Sequence, residues 1–347
     1  MEARRIPRVA AALALLLAAA APCLALEAKE GLVKIVVDEG NARVSIFRLV
    51  DIAKGKYESF LYDQDPRTTF ATLSVDGKQA RLGDAADYRF TARRSETGLT
   101  IEFKSSFCSV RESVDFVRSS GSALADGVKI GFELENVSER DASLGLRLLV
   151  DTYLAEKSGL HFATDKNQRV QNEAELTRAT GEAWLSTPGD KSSFMIQLAG
   201  EGVDSPDRVL LANWKRLSDA PWGFDANGQR NFTLVPYSIN DSAAALFWEP
   251  IAVPRGSVRR ISIAMGAFNE KGYSLAQTKS QTEKIFEATV LGSASADPAA
   301  GLATDLVGVR DLITRIDLAL SSGNATPEEI AAWKKILDLL EERKKGY

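Results

Sequence analysis

Apolar and polar side chains alternate along most of the chain between residue 32 and residue 265. In GVKIGFELENV (127–137), one face carries four apolar side chains and the other carries three charged ones: Val128, Ile130, Phe132 and Leu134 against Lys129, Glu133 and Glu135. The same period of two recurs in GLTIEFK (98–104) and LGLRLLVD (144–151). This period is typical of antiparallel strands that bury one face in a core and expose the other to water.

Frequent turns divide this region into about fifteen short strands. The predicted strands are 32–37, 43–50, 57–62, 69–76, 87–94, 98–104, 107–118, 127–137, 142–153, 182–187, 192–199, 208–213, 232–238, 243–249 and 257–265. So many strands with few helices between them predict a mainly β fold, a large antiparallel β-sandwich. The body, 26–268, is too long for an immunoglobulin-sized domain of ~100 residues. One large supersandwich-like domain and two smaller sandwiches both fit this pattern.

The periodicity becomes helical after the last strand. We predict a helix over 269–291, a linker over 292–301 and an α-helical hairpin over 302–347. The first hairpin helix has an apolar seam with alternating spacings of four and three, which consists of Leu302, Leu306, Val309, Ile313, Ile316 and Leu320. In the second hairpin helix, we expect Thr326 to be the N-cap and Glu329 to complete a capping box.

A hairpin of two short helices needs a further surface to be stable. It can pack on the sandwich, bind another protein or associate with a second copy, and the sequence leaves all three open. The candidate partner-binding residues lie on or beside the apolar seam of the second helix: Ile330, Trp333, Ile336, Leu337 and Leu340. Because Ile336 and Leu339 lie off that seam, we expect apolar surface to remain for contact with a protein of the periplasm or cell envelope.

The first 25 residues have the pattern of a signal peptide. A basic stretch ending at Arg8 precedes an apolar run of about 13 residues (9–21), and CLA then ends at Ala25. The run is shorter than the ~20 residues of a membrane-spanning helix. We therefore predict an exported protein, periplasmic or extracellular, that reaches a membrane only if the signal stays uncleaved or Cys23 is lipidated. Cleavage leaves Cys108 as the single thiol, so an internal disulfide is excluded.

Charge and composition narrow the range of functions. The net charge is −4 and no basic stripe is present, which argues against nucleic acid as a partner. His161 is the only histidine, so a histidine metal cluster has no second imidazole and a standard triad has no other base. Cys108 is expected to be a core residue, because no base lies near it in sequence. We expect no cofactor, no metal site and no catalytic residue, and we favour a protein that is not an enzyme.

Two acidic positions are open to a second interpretation. Asp63 and Asp65 in YDQDPRTTF match the start of a cation-binding loop, but the later ligands of such a loop are missing and Pro66 favours a turn. Asp151 lies within an apolar run, so its carboxylate is expected to be partly buried and to need a partner. Arg147 is on the same face of the strand, and we predict a structural ion pair rather than a general acid.

Three of the five tryptophans fall within 35 residues, in NWKRLSDAPW (213–222) and the strand that follows. Aromatic side chains at strand ends and in loops are typical of sugar-binding surfaces, and they equally anchor long loops on the edge of a sandwich. The candidate ligand-binding residues are Trp214, Lys215, Arg216, Trp222 and Trp248. We favour the anchoring interpretation, and a carbohydrate-binding surface is the alternative.

In length, strand density and the segment ADGVKIGFELENVSERDASLGLRLLVDT (125–152), the chain resembles the galactose-mutarotase-like supersandwich over residues 30–265. The resemblance implies that architecture. The sugar epimerases of that family depend on a pair of histidines and an acidic base, and because this chain has one histidine, no catalytic residue is carried over. The block 208–250 also resembles uncharacterised exported proteins of spirochaetes, which imply no activity.

Two hypotheses about function follow. The first is an exported, non-enzymatic β-sandwich protein that acts as an interaction or structural component of the periplasm or cell envelope through its C-terminal hairpin. The second is a carbohydrate-binding or carbohydrate-modifying domain that uses the aromatic loops around Trp214, Trp222 and Trp248.

Overall fold

The computed structural model of the chain describes residues 26–64, 67–220, 222–275, 298–322 and 325–345. The predicted signal peptide and most of the helix predicted over 269–291 lie outside these ranges. Within the described ranges, no helix is both long and apolar enough to cross a membrane.

Three antiparallel sheets form the body, as the alternating pattern predicts. The four-stranded sheet contains, in spatial order, β1 (Leu26–Glu30), β2 (Val33–Val37), β3 (Val44–Asp51) and β4 (Lys56–Ser59). The eight-stranded sheet contains β12 (Ala163–Thr164), β14 (Trp184–Thr187), β15 (Phe194–Gln197), β18 (Val258–Ala267), β10 (Gly127–Asn136), β9 (Cys108–Val117), β8 (Gly98–Lys104) and β7 (Arg89–Arg94). The six-stranded sheet contains β13 (Ala174–Thr177), β16 (Arg208–Asn213), β17 (Ser242–Val253), β11 (Ala142–Asp151), β5 (Phe70–Val75) and β6 (Lys78–Arg81). The predicted mainly β, sandwich-like fold is confirmed.

The core combines apolar side chains from all three sheets. β10 contributes Phe132 from the eight-stranded sheet, β11 contributes Leu146 from the six-stranded sheet, and β2 contributes Ile35 from the four-stranded sheet. All three side chains are almost fully buried and belong to one apolar cluster. Burying a side chain of this size stabilises the fold by about 1.5–3 kcal/mol. The three sheets therefore share one continuous core.

The outer face of the six-stranded sheet is buried as well. β11 places Leu149 on this face and β17 places Phe247 there. The short helix α1 (Trp214–Asp219) and the loop after it cover the face, and the Asn213 side chain caps α1 by accepting a hydrogen bond from the Arg216 backbone N–H. A strand buried on both faces has an almost continuous apolar sequence, which explains the run LGLRLLVD in β11.

Two helices form the C-terminal hairpin, α2 (Pro298–Ser322) and α3 (Pro327–Lys344). The capping box predicted at the start of α3 is present. The Thr326 hydroxyl accepts a hydrogen bond from the Glu329 N–H at 3.2 Å, and the Glu329 carboxylate accepts one from the Thr326 N–H at 3.3 Å. A cap of this kind stabilises a helix by about 1 kcal/mol.

The helix α2 packs on the sandwich at the turn between β1 and β2. The Asp311 carboxylate accepts a hydrogen bond from the Gly31 N–H at 2.7 Å, and the Arg310 guanidinium donates to the Gly31 carbonyl at 2.7 Å. Val307 is buried in a small apolar cluster with Leu124 of the body. Of the three interpretations that the sequence leaves open for the hairpin, the structure shows packing on the sandwich.

Several predicted strands differ from those in the structure. The strand predicted at 232–238 is wrong, because the Leu234 carbonyl accepts hydrogen bonds from the N–H groups of Tyr237 and Ser238 and closes a turn. Pro236 lacks the N–H that a central strand would donate. Four strands were missed, namely β1, β6, β12 and β13, which are two to five residues long and have few apolar residues.

The helical boundaries differ as well. α2 begins at Pro298, inside the predicted linker 292–301, since proline is favoured in the first turn of a helix. The helix predicted over 269–291 is wrong for residues 269–275, which form a turn and an isolated β-bridge between Tyr273 and Ser119. The remainder of that predicted helix lies outside the described residues.

Candidate functional site

Two of the three candidate tryptophans anchor the segment that covers the six-stranded sheet. Trp214 donates a hydrogen bond from Nε1 to the Thr68 carbonyl at 3.0 Å, and Trp222 donates from Nε1 to the Glu249 carboxylate at 2.9 Å. Both indoles are half-buried, and the Trp222 ring meets the Phe247 ring edge-on at 5.6 Å between centroids. These contacts fit the anchoring interpretation, because each indole joins the α1 segment to a strand or loop of the body.

Trp248 does not belong to a ligand-binding surface. Its side chain is 1% exposed and belongs to the core cluster between the sheets. Its Nε1 donates a hydrogen bond to the Asp204 carbonyl at 2.7 Å. A ring buried in this way has no face free to stack on a sugar, so the structure removes Trp248 from the candidate residues.

The two basic residues among the candidate ligand-binding residues, Lys215 and Arg216, have different surroundings. Arg216 forms an ion pair with the buried carboxylate of Glu173, and its guanidinium lies 5.1 Å from the centroid of the Phe224 ring. Lys215 pairs with Asp219 one turn later in α1, at 2.7 Å, and is the more exposed of the two. Arg216 therefore holds the covering loop in place, whereas Lys215 lies at the surface.

Three of the five candidate partner-binding residues are occupied within the hairpin. Trp333 and Ile336 are buried against Leu312 and Ala319 of α2, and Leu340 packs on the same cluster. The expectation that Ile336 lies off the seam is wrong, since it is the centre of the contact between the two helices. These three residues are thus unavailable to a partner while the hairpin is formed.

Half of the apolar seam predicted for α2 points away from α3, whereas Ile316 of the same seam packs on the cluster that joins the two helices. Leu306, Ile313 and Leu320 recur every seven residues and are more than half exposed, with Ile313 at 54%. Each step along an α-helix turns by about 100°, and Ile313 directly follows the buried Leu312. The side chains of α2 that meet α3 are therefore Leu312 and Ala319, which directly precede seam positions, together with Ile316 of the seam.

The remaining two candidates of α3 extend this exposed surface. Leu337 directly follows the buried Ile336, as Ile313 follows Leu312, and Ile330 lies one heptad earlier. In two antiparallel helices that face each other, the residues that follow the contact positions turn to the same side of the pair. The resulting surface, here named the outer face, consists of Leu302, Leu306, Ile313, Leu320, Ile330 and Leu337, all exposed.

A second constellation lies where β11 ends and β17 begins. Asp151 is the last residue of β11, Glu156 follows the 3-10 turn Tyr153–Ala155, and Asp241 directly precedes β17. One carboxylate oxygen from each lies within 4.8 Å of the other two. The antiparallel pairing of the two strands, with Asp151 opposite Ala243, brings these residues together although up to 90 positions separate them.

The environment of this acidic cluster disfavours negative charge. Burial raises the pKa of Asp151 to about 7, and the nearby Asp241 adds to the shift. Burial also raises the pKa of Glu156 to about 8, with further contributions from Asp151 and Asp241, and it raises the pKa of Asp241. In the described part of the chain, no lysine, arginine or histidine forms an ion pair with any of the three carboxylates.

The ion pair predicted between Asp151 and Arg147 is wrong. The Arg147 guanidinium donates hydrogen bonds to the carbonyls of Leu217 at 2.6 Å and Ala220 at 3.1 Å. Four residues of an extended strand span about 13 Å, which is too far for the two side chains to meet even though they share a face. Asp151 was nevertheless a site that the sequence singled out, because an acid in an apolar run has to be explained.

The other titratable candidates are placed in the core or at the surface. His161 is buried, its ring lies 4.5 Å from the Phe232 ring, and burial lowers its pKa to about 4. Cys108 is buried as expected for a core residue, and burial raises the pKa of its thiol to about 12. Asp63 is exposed, and Asp65 lies outside the described residues.

Comparisons with known proteins find similar solved structures but no match in sequence. No family model matches the chain, and no curated protein matches it in sequence. A solved galactose mutarotase related enzyme from Lactobacillus acidophilus is similar, with 11% identity and a TM-score of 0.44 over 73% of this chain and 100% of that one. A galactose mutarotase-like protein from Lactobacillus casei has 9% identity and a TM-score of 0.41, covering 70% of this chain and 100% of its own. Both solved proteins are described by the name of the family that the sequence resembles.

Proposed function

We propose that the protein is an exported β-sandwich that binds another protein of the periplasm or cell envelope through the outer face of its hairpin. One observation carries this proposal: the outer face is apolar and exposed, although both helices already have contacts that hold them in place. Contiguous apolar surface on a soluble protein marks a site of interaction.

The fold does not need the outer face for its own stability. α2 is held by its hydrogen bonds to Gly31, and α3 is held by its buried Trp333. Two ion pairs also join the helices, from Arg315 to Glu329 at 2.5 Å and from Arg343 to Asp305 at 2.9 Å. These contacts leave the outer-face side chains, together with Leu339, exposed and available to a partner.

The spacing of the outer face indicates the chemistry of the partner. Leu306, Ile313 and Leu320 repeat at seven residues on α2, and Ile330 and Leu337 do so on α3. A heptad repeat on two neighbouring helices forms a groove that accepts the apolar edge of a third helix. The partner is therefore a protein that presents an amphipathic helix.

We expect Ile313→Glu to weaken binding of the partner at least tenfold, because a charge in a desolvated groove costs more than 1.4 kcal/mol. The side chain is 54% exposed in the free protein, so the free energy of unfolding should change by less than about 1 kcal/mol. A photo-crosslinking residue at position 313 or 320 of the full chain, introduced in the native cells, captures the partner. Titration of the purified partner then measures the affinity of the variant.

Ile251→Glu is the matched control, since Ile251 is 52% exposed and lies on the sandwich. It should leave binding unchanged, and a crosslinker at position 251 should capture no adduct. An adduct of two copies of this chain, or a crosslink from position 313 to the chain's own residues 276–297, would contradict the proposal. Equal loss of affinity in the Ile251 and Ile313 variants would contradict it as well.

Export has its own test. We expect the protein recovered from the periplasm or medium to lack residues 1–25, so that intact-mass measurement gives a chain beginning at Leu26. A chain beginning at a lipid-modified Cys23 would instead make the protein a membrane-anchored lipoprotein. Recovery of the full-length chain from the cytoplasm would contradict export.

The carbohydrate-binding alternative stays a prediction that rests on Trp214 and Trp222. Both indoles use their N–H groups internally, so a sugar would have to stack on the exposed part of a ring. A glycan screen with the wild-type protein and with Trp222→Phe tests it.

A further inference from the structure

We propose that Asp151, Glu156 and Asp241 form a binding site for one hard divalent cation, with calcium as the preferred ion. The site is independent of the outer face of the hairpin and of the partner proposed for it. It deviates from the expectation, based on sequence, that the chain has no metal site.

The geometry of the three carboxylates suits one ion. Calcium binds oxygen ligands at 2.3–2.6 Å, so two oxygens on the same ion are at most about 5 Å apart. One oxygen of each of the three side chains lies within 4.8 Å of the others, which meets this limit. A single ion between Asp151, Glu156 and Asp241 can therefore reach all three with small rotations of the side chains.

The state of Asp151 is a second, separate indication of a ligand. Its side chain is 4% exposed, and its Oδ1 atom accepts no hydrogen bond of normal geometry in the described part of the chain, although the nearby Thr68 side chain lowers the pKa of the carboxyl against the effect of burial. A buried carboxylate oxygen without a partner costs several kcal/mol, and native proteins rarely leave one unsatisfied. A cation between the three side chains would supply the missing interaction.

The charge of the cluster points in the same direction. Three ionised carboxylates at this distance repel one another, and in the described part of the chain none of them has a basic partner. They can be neutralised by protons or by a cation. A divalent cation neutralises two of the three charges at once and binds the carboxylate oxygens directly, whereas each proton removes only one charge.

The ligand set selects the kind of cation. Carboxylate oxygens favour calcium, magnesium and manganese over zinc or copper, which prefer histidine and cysteine. The carboxylates of Glu156 and Asp241 lie outside the regular strands, after the 3-10 turn and just before β17. Calcium tolerates the irregular ligand geometry of such segments better than magnesium does. Calcium is therefore the ion that we expect to bind most tightly.

The surrounding hydrogen bonds show what an ion would hold together. The Thr152 N–H donates to the Ser242 carbonyl at 3.3 Å, and the Asn240 side chain donates to the Glu156 carbonyl at 3.3 Å. The Trp214 N–H donates to the Asp241 carbonyl at 3.2 Å, which connects the site to α1. A bound ion would therefore connect three parts of the chain through its ligands: the end of β11, the segment that follows it and the residue before β17.

The test is titration of the chelator-treated, full-length mature protein with calcium chloride alone at pH 7.5. We expect isothermal titration calorimetry to show one calcium per chain, with a saturating rise in the melting temperature. Glu156→Gln and Asp241→Asn should each weaken calcium binding at least tenfold. Magnesium titrated in the same way should bind more weakly than calcium.

Asp219→Asn is the matched control, because it removes one negative charge at an exposed position that pairs with Lys215. It should bind calcium as the wild-type protein does. Without calcium, the Asp241→Asn variant should melt at a temperature equal to or above that of the wild-type protein, because the substitution relieves the repulsion between the carboxylates. Such a melting temperature would show that the variant is folded and that it has lost only the ability to bind calcium. No heat and no shift in melting temperature up to about 10 mM calcium, well above the affinity range of extracellular sites, would overturn the proposal. Wild-type affinity in both cluster variants would overturn it too.

Discussion

Replacing Glu112 by glutamine is expected to raise the free energy of unfolding by about 3 kcal/mol at pH 7. Glu112 lies on β9 opposite Ile101 and Phe132, and its side chain shares their buried face. Burial raises the pKa of its carboxyl from 4.5 to about 8. One pKa unit corresponds to 1.36 kcal/mol, and about 2.5 units separate the unfolded pKa from pH 7, where the native carboxyl is still protonated.

The sign of the pH dependence follows from the proton count. The native protein holds a proton on Glu112 between pH 4.5 and 8 that the unfolded chain has lost, so this residue lowers stability as the pH rises through that window. Glutamine has nearly the shape of the protonated carboxyl and does not ionise. The difference between the variant and the wild-type protein should therefore be near zero at pH 4 and should grow up to pH 8. Urea unfolding at several pH values measures it.

Glu102 on the neighbouring strand β8 provides a control of opposite sign. A hydrogen bond from Lys104 lowers the pKa of Glu102, so Glu102→Gln should give no gain in stability at any pH. A gain from Glu112→Gln that stays constant between pH 5 and pH 8 would show that Glu112 is ionised in the native protein. The charged carboxylate would then have a compensating partner.

Replacing Trp248 by alanine is expected to lower the free energy of unfolding by about 3–5 kcal/mol. The substitution removes an indole that is 1% exposed and leaves the Asp204 carbonyl without its hydrogen bond from Nε1. The side chain lies between the two large sheets, where the surrounding strands cannot collapse to fill the space. Urea unfolding monitored by circular dichroism measures the loss.

Trp222→Ala is the matched comparison, because it removes an indole from the loop over the sheet and not from the core. Trp222 is half-buried in the loop over the six-stranded sheet, and that loop can move to fill the space, so its loss should be clearly smaller. If Trp248→Ala fails to fold, Trp248→Phe keeps most of the volume and should cost about 1–3 kcal/mol for the lost hydrogen bond. Equal losses at positions 222 and 248 would contradict the assignment of Trp248 to the core.

The sequence predicts those features of the fold that repeat at a regular period. β10 alternates cleanly because one of its faces is buried; it begins at residue 127 as predicted and ends at residue 136, one residue before the predicted end. β11 is buried on both faces, so its apolar run does not show which face meets which neighbour. For the same reason, the sequence cannot tell that Arg147 faces the α1 segment.

The same limit explains the outcome for the hairpin. The spacing of four and three in α2 predicts a helix with an apolar side, but which neighbour covers that side depends on where the helix docks. In the structure Leu312 and Ala319 meet α3, while Ile313 and Leu320 face outward. Ala319 has a small side chain, and a search for large apolar residues passes over it.

Of the three residues in the acidic cluster, the sequence indicates only one. Asp151 was recognised because a charged residue in an apolar strand needs an explanation. Glu156 and Asp241 carry no such signal, since acidic residues in loops are common. They join Asp151 only because β11 and β17 are neighbours in the six-stranded sheet, and that pairing depends on the tertiary fold.

Gly31 couples the docking of the hairpin to the backbone of the sandwich. It has a φ of +56°, a Cβ atom at this position would meet the backbone of Ala125, and its peptide groups bind Asp311 and Arg310 of α2. Arg310 also donates a hydrogen bond to the Tyr57 hydroxyl at 2.9 Å, so α2 is joined to both ends of the four-stranded sheet. A side chain at position 31 would therefore disturb the turn between β1 and β2 and, with it, the contact that holds α2 on the sandwich.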